Sequence, residues 1–156
     1  MADHKVIFQG ATPYLRYENA AEAIEWLERV MGFKERARYV DKDEIVRHAQ
    51  MFVGNTELWL TGVGTGFWET HERGPEQFIL VWVDDVDAQY DRVKAAGVDA
   101  PPPVDQSVGV RGFSVTDPGG YHWGFRRRLA SGYQQTLSLE EGGLREIVKR
   151  VTAEVH

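Results

Sequence analysis

Two stretches of this chain run through the same succession of elements, and that internal echo restricts the fold more than any other feature. Thr12-Pro-Tyr-Leu-Arg-Tyr17 alternates as a short strand does and passes into Asn19-Ala-Ala-Glu22, a helix cap with an acid three residues on. Ala23, Ile24, Leu27, Val30 and Met31 then share one helical face, and Gly32 stands where helices commonly end. Phe78-Ile-Leu-Val-Trp-Val83 is a nearly continuous apolar strand. Asp84-Asp85 opens a second helix with Val86, Tyr90 and Val93 on one face, and Gly97 stops it. The two stop glycines stand 65 residues apart.

The segments beyond the two helices also match. After Gly32 come strand candidates at 34–40, 45–53 and 57–61, broken by Asp41-Lys-Asp43 and Gly54-Asn55. After Gly97 come Pro101-Pro-Pro103 and candidates at 104–107, 111–116 and 121–127, with Asp117-Pro-Gly-Gly120 as a strong turn. The order is βαβββ twice, an α+β chain. Module one runs from about 6 to 62 and module two from about 76 to 128, within a domain at 1–128. Residues 129–156 form an extension. There Ser138-Leu-Glu-Glu141 reads as a capping box, and Leu144, Ile147, Val148, Val151 and Val155 form a helical stripe that suits packing on the domain or on a second subunit.

Composition removes several function classes. The chain has no cysteine, so disulfides, thiol nucleophiles and thiolate metal sites are excluded. Its net charge of −6 speaks against a general nucleic-acid binder. No apolar run is long enough to span a membrane. Met1-Ala-Asp-His-Lys5 lacks the apolar core of a signal peptide, so a cytoplasmic protein is expected. Neither Gly-x-Gly-x-x-Gly after a strand, a P-loop lysine motif, nor Gly-x-Ser-x-Gly is present, and Ser107 and Ser114 have no recognisable partner set.

The tandem modules ending in Asp117-Pro-Gly-Gly-Tyr-His-Trp-Gly-Phe125 resemble the vicinal-oxygen-chelate superfamily of glyoxalase I, bleomycin-resistance proteins and extradiol dioxygenases. The resemblance covers roughly Val6 to Arg128. The glyoxalase/bleomycin-resistance-like branch is the nearest pattern, through Thr12-Pro-Tyr-Leu-Arg-Tyr17, Arg47-His-Ala-Gln50 and Gly109-Val-Arg111. The resemblance implies a U-shaped mixed sheet around a pocket, commonly within a homodimer. It also implies, in the family's metal enzymes, one His, Gln or Glu on each of four strands. Those points fall here on Thr12, Trp59, Phe78 and Gly124, none a good ligand for a divalent ion. No metal or other cofactor is therefore expected.

Given that architecture, alternation assigns the faces. Aliphatic residues suit the helix-packed side. Thr12, Tyr14 and Arg16, His48 and Gln50, Glu57, Trp59 and Thr61, Phe78, Leu80 and Trp82, and His122 then face the cavity, while Trp123 and Phe125 face the core. Aromatic walls with few polar anchors suit a flat organic ligand. Trp59, Phe78 and Trp82 are candidate ligand contacts, with plain core filling as the alternative.

His48 has three readings: a structural histidine bonded between strands, a ligand contact, or a proton carrier oriented by Glu57. Arg111 pairs either with an anionic ligand or with a neighbouring acid. Arg126-Arg-Arg128 suits a solvated strand end better than a phosphate site. The loop 62–75, with Phe67-Trp68, is a lid or a dimer contact, and Trp68 joins the ligand-binding candidates. His71 and Glu72 are expected in solvent, and His4 and His156 carry no signal.

The function expected is metal-independent binding of a small aromatic or amphipathic molecule, with sequestration as in drug-resistance relatives. The charge of −6 would favour a cationic ligand, although Arg16 and Arg111 oppose it. The alternatives are a lyase or isomerase using His48 and Glu57, an enzyme with relocated metal ligands, or a non-catalytic dimerisation module.

Overall fold

A computed structural model describes residues 5, 7, 9–106 and 109–129. The tail helix expected beyond residue 129 lies outside the described residues, as do His4, Ser107 and His156.

The first module is β1 (Tyr14–Tyr17), α1 (Ala20–Trp26), β2 (Lys34–Val40), β3 (Val46–Val53) and β4 (Thr56–Gly62). After a short helix α2 (Phe67–Thr70), the second repeats the pattern with β5 (Phe78–Trp82), α3 (Val86–Ala95), β6 (Val104–Gln106), β7 (Val110–Thr116) and β8 (His122–Arg128). Sheet 1 has the order β1-β4-β3-β2 and sheet 2 the equivalent order β5-β8-β7-β6. In each, the first strand lies parallel to the last and the remaining pairs are antiparallel.

Both helices start as their sequences dictate. Asn19 accepts from the Glu22 amide at 3.0 Å, and Asp85 accepts from the Ala88 amide at 2.9 Å. Helix α1 departs from regular spacing at its end, continuing as a π-helical turn over Leu27–Met31. In that widened turn Leu27, Val30 and Met31 are all buried. Gly32 then takes φ 82°, a left-handed conformation that an L side chain resists.

The helix-covered faces of both sheets merge into one core. Ile24, Leu27, Met51, Leu60, Val86, Val93, Trp123 and Phe125 are among its most buried members. Phe33 of the first module meets Trp123 of the second edge to face, with ring centroids 5.4 Å apart. Gln89 Nε2 donates to the Met31 carbonyl at 3.0 Å, and Arg29 Nη1 to the Ala96 carbonyl at 3.3 Å. The described strands form two separate four-stranded sheets, and on the faces turned away from this core Tyr14, Phe78, Leu80 and Trp82 are each about half exposed. Among the described residues, no helix is long and apolar enough to cross a membrane.

A polar clamp also joins the modules. Asp117, only 5% exposed, accepts from the Tyr17 hydroxyl at 2.5 Å and from Trp123 Nε1 at 3.0 Å. Burial first, and then the Asp117 charge, push the Tyr17 phenol far above its ordinary value. A phenol that keeps its proton when folded but releases it near pH 10 when unfolded makes stability fall with rising pH. Stability is expected to drop by about 1.4 kcal/mol per pH unit above about pH 10. Tyr17→Phe is expected to reduce that slope, the remainder coming from Tyr121, whose pKa burial also raises. Urea unfolding of both proteins across alkaline pH checks it, and equal slopes would remove Tyr17 as the cause.

Candidate functional site

Alternation puts the expected residues on the sheet faces turned away from the core. Leu15 and Tyr17, Ala49 and Met51, and Leu58 and Leu60 are buried. Their neighbours Tyr14, His48, Gln50, Trp59 and Thr61 emerge on the other side of sheet 1. Register then brings these together: Tyr14 lies opposite Trp59, Gln50 opposite Trp59, and His48 opposite Thr61.

The rings of Tyr14 and Trp59 pack edge-on around His48, with centroids 5.5 and 5.1 Å from the imidazole. Tyr14 Oη is 2.9 Å from His48 Nδ1, and Gln50 Nε2 is 3.2 Å from His48 Nε2. Arg36 Nη1 donates to Gln50 Oε1. Glu57 does not orient His48. It accepts from Trp59 Nε1 at 3.5 Å and stands 3.9 Å from Arg36 Nε. The physical reason is register: Glu57 pairs with Phe52, beyond Gln50 and away from His48.

Sheet 2 has its own aromatic row. Phe78, Leu80 and Trp82 are 53%, 49% and 48% exposed. Arg128 lies over the Trp82 ring at 4.2 Å. His122 stacks beside Phe78 at 6.1 Å and bonds Thr116 Oγ1 through Nδ1 at 2.9 Å. The single aromatic box expected from the sequence is thus divided within one chain. Trp59 belongs with Tyr14 and His48 on sheet 1, Phe78 and Trp82 with each other on sheet 2. No ring contact joins the two rows among the described residues.

Of the two readings of Arg111 the structure shows pairing with neighbouring acids. Arg111 is not free for a ligand. It bonds Asp87 through Nη2 at 2.9 Å and Nε at 3.1 Å, and Asp105 through Nη1 at 3.2 Å. It shares the side of β7 that carries Phe113 and Val115, so it points to α3 and not to the open face. Those carboxylates raise its pKa, and Arg111 in turn holds Asp87 below the ordinary carboxylate value. Arg111→Ala is expected to leave small-molecule affinity unchanged in a binding titration.

Arg126 is not a solvated strand end either, being 8% exposed. Its Nη1 donates to the Phe113 and Phe125 carbonyls at 2.7 and 3.0 Å, and Nη2 to Ser114 Oγ at 3.2 Å. It fits because Gly112 has no side chain: a Cβ there would lie 2.4 Å from Arg126 Cδ. Burial lowers its pKa.

The loop after β4 carries α2, in which Phe67 stacks on His71 at 3.9 Å and meets Trp68 edge-on at 4.9 Å. Arg73 lies 4.5 Å over Trp68 and donates to the Gly119 carbonyl at 3.0 Å. Phe67 and Trp68 line a cleft of about 940 Å³ with Tyr14, Arg16, Thr61 and Tyr121, so the loop borders the sheet 1 face.

A divalent ion at the points that the resemblance implies does not fit these residues. Trp59 and Phe78 offer rings, and the Phe78 ring fills the space beside Gly124. A Cβ on Gly124 would lie 2.6 Å from Phe78 Cε1. Among the described residues, no group of three or more His, Asp or Glu is placed to hold a metal.

Comparison with known proteins agrees with this architecture. A family model described as Glyoxalase/Bleomycin resistance protein/Dioxygenase superfamily matches residues 7–125. TioX from Micromonospora sp. ML1 is 32% identical, with 76% of this chain and 97% of that chain covered and a TM-score of 0.64. TnmS3, an antibiotic binding protein from Streptomyces sp. CB03234, shares the fold at 22% identity, with 80% and 99% covered and a TM-score of 0.63. Lactoylglutathione lyase from Agrobacterium tumefaciens shares it at 13% identity, with 79% and 96% covered and a TM-score of 0.59. No curated protein matches the sequence.

Proposed function

Because this chain belongs to the glyoxalase/bleomycin resistance protein/dioxygenase superfamily, we propose that it binds a small planar aromatic molecule without a metal ion. The ligand lies between the aromatic face of sheet 1 in one copy and that of sheet 2 in a second copy. The observation that carries this reading is the row Phe78, Leu80 and Trp82, each about half exposed on one side of one strand. Contiguous apolar surface of that kind in water marks a ligand or partner site. Flat rings with sparse polar anchors favour a flat ligand.

Two features support a second copy. The polar and aromatic groups that would surround one ligand stand on separate sheets in a single chain. β1 and β5, which carry Tyr14 and the Phe78 row, are both sheet edges. Arg128 lies over the Trp82 ring at 4.2 Å and Arg126 over the Phe78 ring at 5.8 Å, so an electron-rich ligand suits the face better than the cation that the net charge alone would favour. Sequestration of an aromatic antibiotic in the cytoplasm fits this chemistry, and TnmS3 is an antibiotic binding protein of the same fold.

Titration of tryptophan fluorescence against a panel of planar aromatic compounds, with the mass in solution measured alongside, tests the reading. Saturable quenching by a dimer is expected. A monomer that binds nothing in the panel would overturn it.

A further inference from the structure

One arrangement of hydrogens satisfies every polar contact around His48, and it sets the chemistry of the ligand. We infer that Tyr14 presents its hydroxyl hydrogen outward, so that the molecule on sheet 1 carries a hydrogen-bond-accepting oxygen, of the ring-carbonyl kind, beside the Trp59 ring. This rests on the reading that the face binds a planar aromatic.

The argument starts at Arg36, whose guanidinium has hydrogens to give and no lone pair to offer. It donates to Gln50 Oε1, which fixes the amide with its nitrogen toward His48. That nitrogen, 3.2 Å from His48 Nε2, can only donate, so Nε2 keeps its lone pair. In the neutral imidazole the hydrogen is then on Nδ1. Nδ1 faces Tyr14 Oη at 2.9 Å and donates to it.

Tyr14 accepts that bond and keeps its own hydrogen. The residue is 55% exposed, and the described residues give its hydroxyl no other partner. The opposite tautomer sets Nε2–H against the Gln50 amide hydrogens. Flipping the amide to relieve that clash sets the same hydrogens against Arg36. The carboxylate of Glu57, 3.9 Å from Arg36 Nε, balances the charge at the head of the relay. Aligned donors of this kind polarise one another in the same direction.

Two measurements test the inference. Long-range ¹H–¹⁵N correlation spectra at alkaline pH, with His48→Gln to assign the signal, show which nitrogen bears the hydrogen. The expected result is Nδ1–H in the native protein and a shift toward Nε2–H in Gln50→Leu. Nε2–H in the native protein overturns the inference, whatever the protein binds.

The second compares 9-fluorenone with fluorene, equal in shape and differing in the carbonyl. The ketone is expected to bind about tenfold tighter, and Tyr14→Phe to remove that preference. Equal binding of both sinks the inference and leaves the aromatic-ligand reading standing. Binding of neither counts against that reading, and the spectra still decide the direction of the relay.

Discussion

Asp117→Ala is expected to lower the unfolding free energy by about 3–5 kcal/mol, since a buried donor left without its acceptor costs about 1–3 kcal/mol and two such side-chain donors lose theirs. Asp117 sits at the start of the turn before β8 and receives four donors. Oδ1 accepts from the Gly119 amide at 2.9 Å and the Tyr121 amide at 3.0 Å. Oδ2 accepts from the Tyr17 hydroxyl at 2.5 Å and Trp123 Nε1 at 3.0 Å. The first pair shapes the turn, and the second ties the first module to the second. Alanine leaves all four donors without that acceptor, two of them on side chains buried in the core.

Asp117→Asn separates charge from shape. An asparagine has one oxygen for two donors, and its amide nitrogen must face the other two whichever way it is flipped. A tyrosine hydroxyl can turn to accept. An indole N–H and a backbone N–H cannot. The amide is therefore expected to be nearly as costly as alanine. At this chain length a loss of that size lowers Tm by about 10 °C. Chemical unfolding monitored by fluorescence and circular dichroism measures it. A loss under about 1 kcal/mol for alanine would show that the modules are held by apolar contact alone.

How much of this was legible in the sequence depends on the range of the interaction. The two modules, their caps and stop glycines are local signals and stand where the periodicities put them. The faces follow from alternation wherever one parity is aliphatic, as with Leu58 and Leu60 flanking Trp59. Asp117 read only as a turn residue, because its partner Tyr17 is 100 positions away and nothing local announces the contact. Arg111 was ambiguous beside Gly109 and Gly112, although its shared parity with Phe113 and Val115 points it toward the helix. Arg126 looked solvated because the trough that accepts it is made by a glycine on a neighbouring strand.

The partners of His48 are a matter of register. Alternation places His48 and Glu57 on the same face but does not say how far β4 slides along β3. The observed pairing of His48 with Thr61 and Gln50 with Trp59 puts Tyr14 and Gln50 on the imidazole and leaves Glu57 two rungs away. Arg36 was missed altogether, since nothing in an exposed strand of alternating charges marks one arginine as the residue that orients an amide.

Trp59→Ala and Trp82→Ala are each expected to weaken ligand binding about 30-fold, the effect of losing roughly 2 kcal/mol at a central aromatic contact. The indoles lie on different sheets, so the two variants also decide how the site is assembled. Suppose that sheet 1 of one copy closes over sheet 2 of its partner. A mixed dimer of the two variants then contains one site with both lesions and one site with neither. Calorimetric titration of that mixed dimer, isolated with two different affinity tags, should recover native affinity at half the native stoichiometry. If each chain builds its own site, every site in the mixed dimer carries one lesion and native affinity does not return. The restored fraction cannot come from better folding of either variant, because each is about 30-fold weak when measured alone. Complementation would therefore place the ligand between copies and account for Tyr14 on sheet 1 and the Phe78, Leu80 and Trp82 row on sheet 2, which stand about half exposed on two separate sheets.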